Sequence, residues 1–324
     1  MPRLQTVRFS TIRVEQEHLA LLFQSNTLHT LILFQCSLRS IAYLPPSRIA
    51  HLTMALMDDW IYMEPLLGHC SASLETLDFV GQLRRSPRST KLPHFPRLRK
   101  LKFVVTSGPT SHLDTLTSLA PQLEHLEVWG RGPVSGLSAL PVGLQYISIN
   151  QWLIEHGDFG AHPFVHFPHL HITYYNHVAD DDHRGLAIPI IQRLFPNLTS
   201  LEVDIHYYSR NFVLLLARAL PKVTRLQLNM SGVPWSLKYN YDTSRYITET
   251  LESPLASIHV NVTLLYGQKH RVELYKDWVT QTVFSLGGPH LQEIEVAFSM
   301  LGTSIPVIWW CWKRVKEEWF FKQY

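Results

Sequence analysis

Apolar side chains recur along the chain in a short fixed pattern. Each copy has an apolar residue, two variable residues, a second apolar residue, one variable residue and a third apolar residue, as in Leu98, Leu101 and Phe103. The full copies begin at Leu4, Leu28, Ile49, Leu74, Leu98, Leu123, Leu144, Leu198, Val223, Leu255 and Leu291, and Leu170 with Ile172 forms a shortened copy. Because alternate residues of a strand face opposite sides, the pattern predicts one half-buried strand per copy.

The spacing between copies is nearly constant. Its mean is about 26 residues, within the roughly 20 to 29 residues of a leucine-rich repeat. Proline often stands two residues before a copy, as at Pro96, Pro121 and Pro196. Proline ends helices and favours extended geometry in the preceding residue, so it marks the approach to each strand. The apolar residues before these prolines are predicted to fill the core: Phe95, Ala120, Phe167, Phe195 and Leu220.

These regularities predict an α/β fold, namely a leucine-rich-repeat solenoid of about twelve repeats over residues 1–306. We expect parallel strands on its concave face and helices or irregular segments on its convex face. Helical spacing of apolar residues occurs at Leu186–Leu194, Asn211–Leu220, Arg245–Leu251 and Val272–Phe284. The aromatic-rich residues 307–324 are predicted to form a capping helix of the same domain, covering the end of the final repeat.

Composition narrows the classes of partner. The chain is 46% hydrophobic and 17% charged, as expected for a folded protein, and its net charge is only +3. Basic residues are scattered, so we predict no nucleic-acid partner; the basic segment Arg84, Arg85, Arg88 and Lys91 is interpreted as a solvated loop. The run from Val296 to Trp312 is too short for a membrane anchor and contains Pro306, so no membrane partner is predicted.

The cysteines point to a reducing compartment. Cys36, Cys70 and Cys311 are odd in number and far apart, so they are predicted to be reduced, buried thiols. No apolar segment typical of a secretion signal follows Met1. A cytoplasmic or nuclear location is therefore expected.

The variable positions of the strands are predicted to form a docking surface for a protein on the concave face. Interfaces draw most of their energy from a few aromatic or arginine anchors surrounded by polar groups, so Phe34 and Trp129 are the leading anchors. The alternative is that each ring is covered by its neighbours. The predicted partner-binding residues are Phe34, Lys100, Lys102, Glu127, Trp129, Tyr146, Glu202 and Arg225; Asn150 also belongs to the outward set.

Several short segments carry a family resemblance. Leu28–Cys36 reads LHTLILFQC, and Phe95, Phe167 and Phe195 each begin an FPxL segment. These features resemble the repeats of ribonuclease-inhibitor-like solenoids and of fungal F-box proteins with degenerate repeats. The resemblance implies a substrate-selecting part of a cullin-type ubiquitin ligase, with the ligase as a partner if an F-box is supplied upstream. No F-box is visible in this sequence, because the first motif already begins at Leu4.

Two other functions stay open beside protein recognition. A metal-dependent enzyme could use the cluster His166, His169, His171, His177, Asp180, Asp181, Asp182 and His183. A structural spacer without a specific partner is the other alternative. The glycine fingerprints of nucleotide sites and the serine elbow of hydrolases do not occur, so we predict a non-catalytic protein without a cofactor or bound metal.

Overall fold

The computed structural model describes residues 4–38, 43–57, 63–82, 93–107, 119–130, 140–150, 153–154, 164, 166–174, 187–205, 222–231, 255–264, 272, 290–300, 306–315 and 318–323. The chain divides into two compact units, Met1–His162 and Pro163–Tyr324. Each unit contains a mostly parallel sheet with few helices among the described residues. This arrangement is consistent with the predicted solenoid-like α/β fold.

The first unit is built on seven parallel strands. In chain order its strands are β1 (Thr6–Ser10), β2 (Arg13–Val14), β3 (Thr30–Phe34), β4 (Ser37–Leu38), β5 (His51–Met57), β6 (Thr76–Gln82), β7 (Lys100–Ser107), β8 (His125–Gly130) and β9 (Tyr146–Asn150). The short strands β2 and β4 pair separately, and the other seven form the sheet. Two helices, α1 (Gln16–Phe23) and α2 (Met63–Cys70), lie in the connections.

The second unit also contains a seven-stranded sheet. Its strands are β10 (His169–Tyr174), β11 (Ser200–Ile205), β12 (Arg225–Ser231), β13 (Ser257–Leu264), β14 (Glu293–Met300), β15 (Pro306–Val315) and β16 (Glu318–Gln323). Strands β10 to β14 run parallel, and β15 and β16 are antiparallel to their neighbours. Helix α3 (Ala187–Leu194) confirms the first helical prediction, whereas the other three segments lie outside the described residues apart from Val272.

Equivalent motif positions lie side by side in both sheets. In the first unit Leu31, Leu52, Leu77, Leu101 and Leu126 pair in sequence across β3 to β8, and all five are fully buried. In the second unit, the row runs through Leu201, Leu226, Ile258 and Ile294. The intervening residues of these strands are partly exposed. The predicted strands and their core faces are therefore confirmed.

A forked hydrogen bond fixes the start of most parallel strands, namely β3 and β5 to β9 in the first unit and β11 to β14 in the second. The carbonyl of Glu75, for example, accepts from the backbone N–H groups of both Arg99 and Lys100, at 2.9 and 3.0 Å. The Arg99 carbonyl then accepts from Glu124 and His125 in the same way. The same fork recurs in the second unit on the carbonyls of Pro168, Thr199, Thr224 and Ala256.

The first two repeats share a tight corner after the strand. Thr11 follows β1 and Gln35 follows β3, and both have left-handed backbone with φ of 55° and 51°. The N–H of Thr11 donates to the Phe34 carbonyl and that of Gln35 to the Ala55 carbonyl, both at 2.8 Å. The corner turns the chain into β2 or β4. A left-handed conformation is costly for any residue with a Cβ atom.

The apolar residues before the prolines fill the core as predicted. Phe95, Ala120, Phe167 and Phe195 are buried, and Leu220 lies outside the described residues. In the second unit the rings of Phe167 and Phe195 both contact Phe164, with centroids 5.6 and 5.3 Å apart. Phe167 and Phe195 stand shortly before β10 and β11 in the sequence, so both rings lie in the core near the start of a strand.

The predicted capping helix over 307–324 is wrong. Residues 306–315 and 318–323 form the antiparallel strands β15 and β16 instead. Trp309 is 37% exposed, whereas Trp310, Cys311 and Trp312 are buried in succession. Aromatic side chains favour strands, and β15 pairs through its backbone with β14 on one side and β16 on the other. Trp310 packs edge-on against Phe298 of β14, with ring centroids 4.7 Å apart.

Other predictions concern the cysteines and the membrane. All three cysteines are free and buried, as predicted. Burial raises the pKa of the Cys70 thiol to about 12, although its sulfur accepts a hydrogen bond from the Ser47 hydroxyl at 3.2 Å.

The run from Val296 to Trp312 contributes to β14 and β15. Within the described ranges, no helix has the length and apolar character needed to cross a bilayer.

Replacing Gln35 by glycine is expected to stabilise the first unit. Gln35→Gly removes the Cβ strain of the left-handed corner, which outweighs the added chain entropy, so the free energy of unfolding rises by about 0.5 kcal/mol. Gln24→Gly is the matched control, because Gln24 is also exposed but has right-handed helical backbone with φ of −72°. There the same change costs about 0.5 to 1 kcal/mol. Urea unfolding measures both, and destabilisation by Gln35→Gly would contradict the strain.

Candidate functional site

The side of each sheet that carries the variable motif positions, here called the variable face, holds every predicted partner-binding residue. In the first unit its side chains form rows across the strands. The apolar row consists of Phe34, Ala55, Val80, Val104 and Trp129. The neighbouring row is here called the charged row, because four of its seven residues have charged side chains. It consists of Arg8, Ile32, Thr53, Asp78, Lys102, Glu127 and Ser148. All five side chains of the apolar row are half-buried.

Three predicted residues meet where these rows cross β7 and β8. The Lys102 ammonium lies 2.9 Å from the Glu127 carboxylate and 5.5 Å from the centre of the Trp129 ring. His125 Nε2 lies 3.2 Å from the other oxygen of Glu127. The Trp129 indole nitrogen is shielded from solvent and has no hydrogen-bond partner among the residues described. A buried N–H group without a hydrogen-bond partner costs about 1 to 3 kcal/mol of stability. If this side chain had only to pack, phenylalanine would therefore be more favourable than tryptophan.

Tyr146 adds an aromatic wall to this group. Its ring stacks on the His125 ring, with centroids 4.0 Å apart and planes within 10° of parallel. The stack holds the imidazole beside Glu127. Lys102, Glu127, Trp129 and Tyr146 therefore form one cluster, here called the β7–β9 cluster, with His125 at its centre.

The other predicted residues of the first unit lie apart from the β7–β9 cluster or at its rim. Lys100 begins β7, is exposed, and pairs in register with His125. Phe34 lies at the far end of the apolar row, with the Arg8 guanidinium 5.7 Å from its ring centre. Four strand spacings, about 19 Å, separate Phe34 from Trp129. The structure thus joins the two predicted anchors through three smaller apolar side chains.

Asn150 differs from the expectation that it faces outward. It is buried, and its amide donates to the Gly130 carbonyl at 2.8 Å while its side-chain oxygen accepts from the Leu153 N–H at 3.2 Å. These bonds connect the end of β8 to the turn after β9. Asn150 is therefore a structural residue rather than part of the docking surface.

Two carboxylates of the charged row have opposite electrostatic environments. The hydrogen bond from His125 lowers the pKa of Glu127 to about 2, with further help from Lys102 and against the effect of burial. Burial instead raises the pKa of Asp78, and the Glu127 charge raises it further against the attraction of Lys102. The folded protein therefore stabilises the charged form of Glu127 and disfavours the charged form of Asp78. Asp78 accepts a hydrogen bond from the Thr53 hydroxyl at 3.4 Å.

In the second unit the variable face is polar. Glu202 Oε1 accepts from the amides of Gln227 at 2.9 Å and Asn229 at 2.6 Å. Asn229 also donates to Asp204 at 2.8 Å, and its own side-chain oxygen accepts from Asn261 at 2.8 Å. Arg225, the remaining predicted residue, begins β12 and is exposed.

The predicted metal cluster is only partly brought together. His166 and His169 are exposed, while His177, Asp180, Asp181, Asp182 and His183 lie outside the described residues. His171 instead faces the next strand, where its Nε2 lies 2.9 Å from Asp204 and 3.9 Å from Glu202. A second group that could bind a metal joins Glu293, Glu295 and Cys311 on β14 and β15.

Asp78, His125, His171 and Asp204 were not among the predicted partner-binding residues, whereas Glu202 was. Their signal was present, because each occupies the same offset within its motif as a predicted neighbour. Aligning the motifs in register would have placed Asp78 beside Lys102 and His171 beside Glu202. The pairing of β14 with β15 carried no such signal, since that strand runs in the opposite direction.

Glu127 is expected to make the first unit sensitive to acid. Its pKa in the folded protein lies below the ordinary 4.5, so its contribution to stability is complete above about pH 4.5 and is lost as pH falls through about 2. Allowing for solvent screening of a side chain that is 25% exposed, the contribution is on the order of 2 kcal/mol. Glu127→Gln should therefore lower the unfolding free energy at pH 7 and flatten its acid dependence.

Asp78→Asn is the matched control for that measurement. The raised pKa of Asp78 means that its charge is unfavourable in the fold, so this change should leave stability at pH 7 equal or higher. Chemical unfolding between pH 7 and pH 3 measures both variants. Equal losses in the two variants would contradict the electrostatic difference between them.

Two comparisons of the sequence with known proteins found no match. No protein-family model matches the chain, and no curated protein is significantly similar to it in sequence. Functional inference for this chain therefore starts from the geometry of its own variable faces.

Proposed function

We propose that this chain is a non-catalytic recognition module that binds a protein through the variable face of its first unit. The proposal includes the finer architecture expected from the sequence, in which about twelve leucine-rich repeats place this face on the concave side. The observation that carries it is the apolar row, which ends in the β7–β9 cluster. No sequence relative contributes to this proposal.

The apolar row has the composition of an interface centre. Aromatic anchors supply most of the energy of protein interfaces, and Phe34 and Trp129 stand at the two ends of the row. Between them, Ala55, Val80 and Val104 present small side chains, which would leave room for a side chain of the partner. The row is only half-buried in the chain itself, so a partner would remove further apolar surface from water.

The charged row would supply specificity beside this apolar centre. Lys102 and Glu127 are 37% and 25% exposed, so each remains accessible to a partner while held by the other. Ion pairs at the edge of an interface affect the choice of partner and the association rate more than the affinity. We therefore expect a partner with a large apolar side chain flanked by charged groups of both signs.

The role in a ubiquitin ligase stays a prediction from the resemblance. The absence of catalysis and the cytoplasmic or nuclear location stay predictions from the sequence motifs and the cysteines. The ligase role would require a protein-binding surface. The surface proposed on the first unit does not depend on that role.

Trp129→Ala tests the proposal. The immobilised wild-type chain is used to capture proteins from native lysate, and a protein that it retains is identified, purified and titrated with the wild type and with the variant. Loss of an anchor costs about 2 kcal/mol, so the dissociation constant should rise about 30-fold. The melting temperature should change by only a few degrees, because the ring is partly exposed.

Tyr43→Ala is the matched control, since Tyr43 is an aromatic residue of the same unit that is 83% exposed and lies outside both rows. It should leave the dissociation constant within about twofold, as expected for surface changes away from an interface. A large fall in the melting temperature of Trp129→Ala with unchanged affinity would show that Trp129 is a core residue. Equal weakening by both variants would contradict a docking site on the apolar row.

A further inference from the structure

The variable face of the second unit brings together an imidazole and two carboxylates. His171 lies on β10, and Glu202 and Asp204 lie on β11, where His171 pairs in register with Glu202. Alternation along β11 places both carboxylates on the same face, two residues apart. One nitrogen and two oxygen atoms of these side chains all lie within 4.8 Å of one another. This set, here called the His171 group, is independent of the proposed protein-binding surface.

The distances within the His171 group fit a common metal ligand sphere. A zinc ion binds histidine nitrogen and carboxylate oxygen at about 2.0 to 2.2 Å, so ligand atoms of a tetrahedral site lie about 3.4 Å apart. His171 Nε2 lies 2.9 Å from Asp204 Oδ1 and 3.9 Å from Glu202 Oε1, on either side of that value. Small side-chain rotations would therefore bring all three atoms to one ion.

Neighbouring amides hold the carboxylates in place. The Asn229 amide nitrogen contacts both Glu202 and Asp204, at 2.6 and 2.8 Å, so the two carboxylate oxygens converge on one point. Gln227 fixes Glu202, and Asn261 fixes Asn229 from the next strand. Outer hydrogen bonds of this kind orient the ligands of metal sites. Glu202 Oε1 accepts from two amides and Asp204 Oδ1 from one, so an ion bound here would replace part of these hydrogen bonds or use the second oxygen of each carboxylate.

The charge of the His171 group also favours a cation. His171, Glu202 and Asp204 are 14%, 30% and 22% exposed, so two negative charges are held close together with limited access to water. Like charges in such a site repel each other unless a cation lies between them. The next ionisable side chain along this row, His259 on β13, already contacts Glu295 at 2.8 Å. Besides His171, the two carboxylates contact the neutral amides of Gln227 and Asn229.

We propose that His171, Glu202 and Asp204 bind a divalent transition-metal ion of the zinc class, with a further position left to water. The mixed nitrogen and oxygen ligands distinguish this ion from Mg²⁺ and Ca²⁺, which prefer oxygen ligands alone. Because the ligands come from β10 and β11, the ion would tie two neighbouring repeats of the second unit together.

Zinc titration of the full chain tests this site. The protein is purified without a histidine tag, stripped with a chelator and titrated with Zn²⁺ against a chromophoric competitor. We expect one ion bound with micromolar or tighter affinity and a rise in melting temperature, because a ligand that binds only the folded state stabilises it. Mg²⁺ and Ca²⁺ at the same concentrations should have no such effect. Zinc affinity weaker than about 1 mM, about 4 kcal/mol of binding energy, would overturn the proposal.

Variants assign the ion to its ligands. His171→Gln and Asp204→Asn should each weaken zinc binding at least about 100-fold, since changes to outer partners alone cost 10- to 100-fold. Cys311→Ser is the matched control, because it removes the thiol from the second potential metal group, Glu293 with Glu295 and Cys311. It should leave the affinity within about twofold if the His171 group is the site. Loss of binding in Cys311→Ser with full binding in His171→Gln would overturn the assignment.

X-ray absorption of the wild-type zinc complex answers the same question without any variant. The His171 group predicts a shell of nitrogen and oxygen atoms at about 2.0 to 2.2 Å and no sulfur at about 2.3 Å. A sulfur shell would move the ion to Cys311 and overturn the proposal. This measurement holds even if a substitution at His171 or Asp204 prevents folding.

Discussion

The forked hydrogen bond that joins one parallel strand to the next is the constraint on which the rest of the structure depends. One carbonyl receives two consecutive N–H groups of the next repeat, so the register of each neighbour is fixed before the ladder begins. A slip of one residue would exchange the two faces of the strand and expose its leucines. Core rows such as Leu77, Leu101 and Leu126 and the rows of the variable face are therefore consequences of the same contact.

The two units use equivalent positions for different chemistry. In the first unit, the position after the middle leucine carries Asp78, Lys102 and Glu127, beside an apolar row. In the second unit the same offset carries Glu202 and Gln227, beside Asp204 and Asn229. Because the backbone register is set elsewhere, these side chains can differ between the two units without a change in strand pairing. An apolar face suits a protein partner, whereas a polar face with converging carboxylates suits a cation.

The spacing of leucines was sufficient to predict the strands, because burial of alternate residues leaves a direct trace in sequence. The prolines that precede the motifs also led to the prediction that Phe95 and Phe195 would be core residues, and both are buried. The C-terminal strands were missed because Trp309 to Trp312 form a continuous apolar run of three tryptophans and Cys311, in which buried and exposed positions are not distinguished by polarity. Asn150 was misplaced for a similar reason, since its polar side chain is satisfied by buried backbone groups that only the fold brings near.

Of the candidate sites, single residues were predictable but their groupings were not. Lys102, Glu127 and Trp129 were chosen one by one as variable positions, and their contacts depend on the neighbour across the strand. His171 was assigned to a cluster with residues close in sequence, although its partners Glu202 and Asp204 lie about 30 positions away. Sequence proximity is a poor guide in a parallel sheet, where adjacent strands are separated by a whole repeat.

The antiparallel strands β15 and β16 have a consequence for the order of folding. Val315 pairs with Glu318 only three residues away, whereas the parallel pairs of the second unit join residues 25 to 36 positions apart. Closing a short loop loses less chain entropy, and local contacts form faster than distant ones. Together with Trp310 and Trp312, which give the hairpin an apolar side, this makes it the natural nucleus onto which β14 and then the earlier repeats of the second unit would dock.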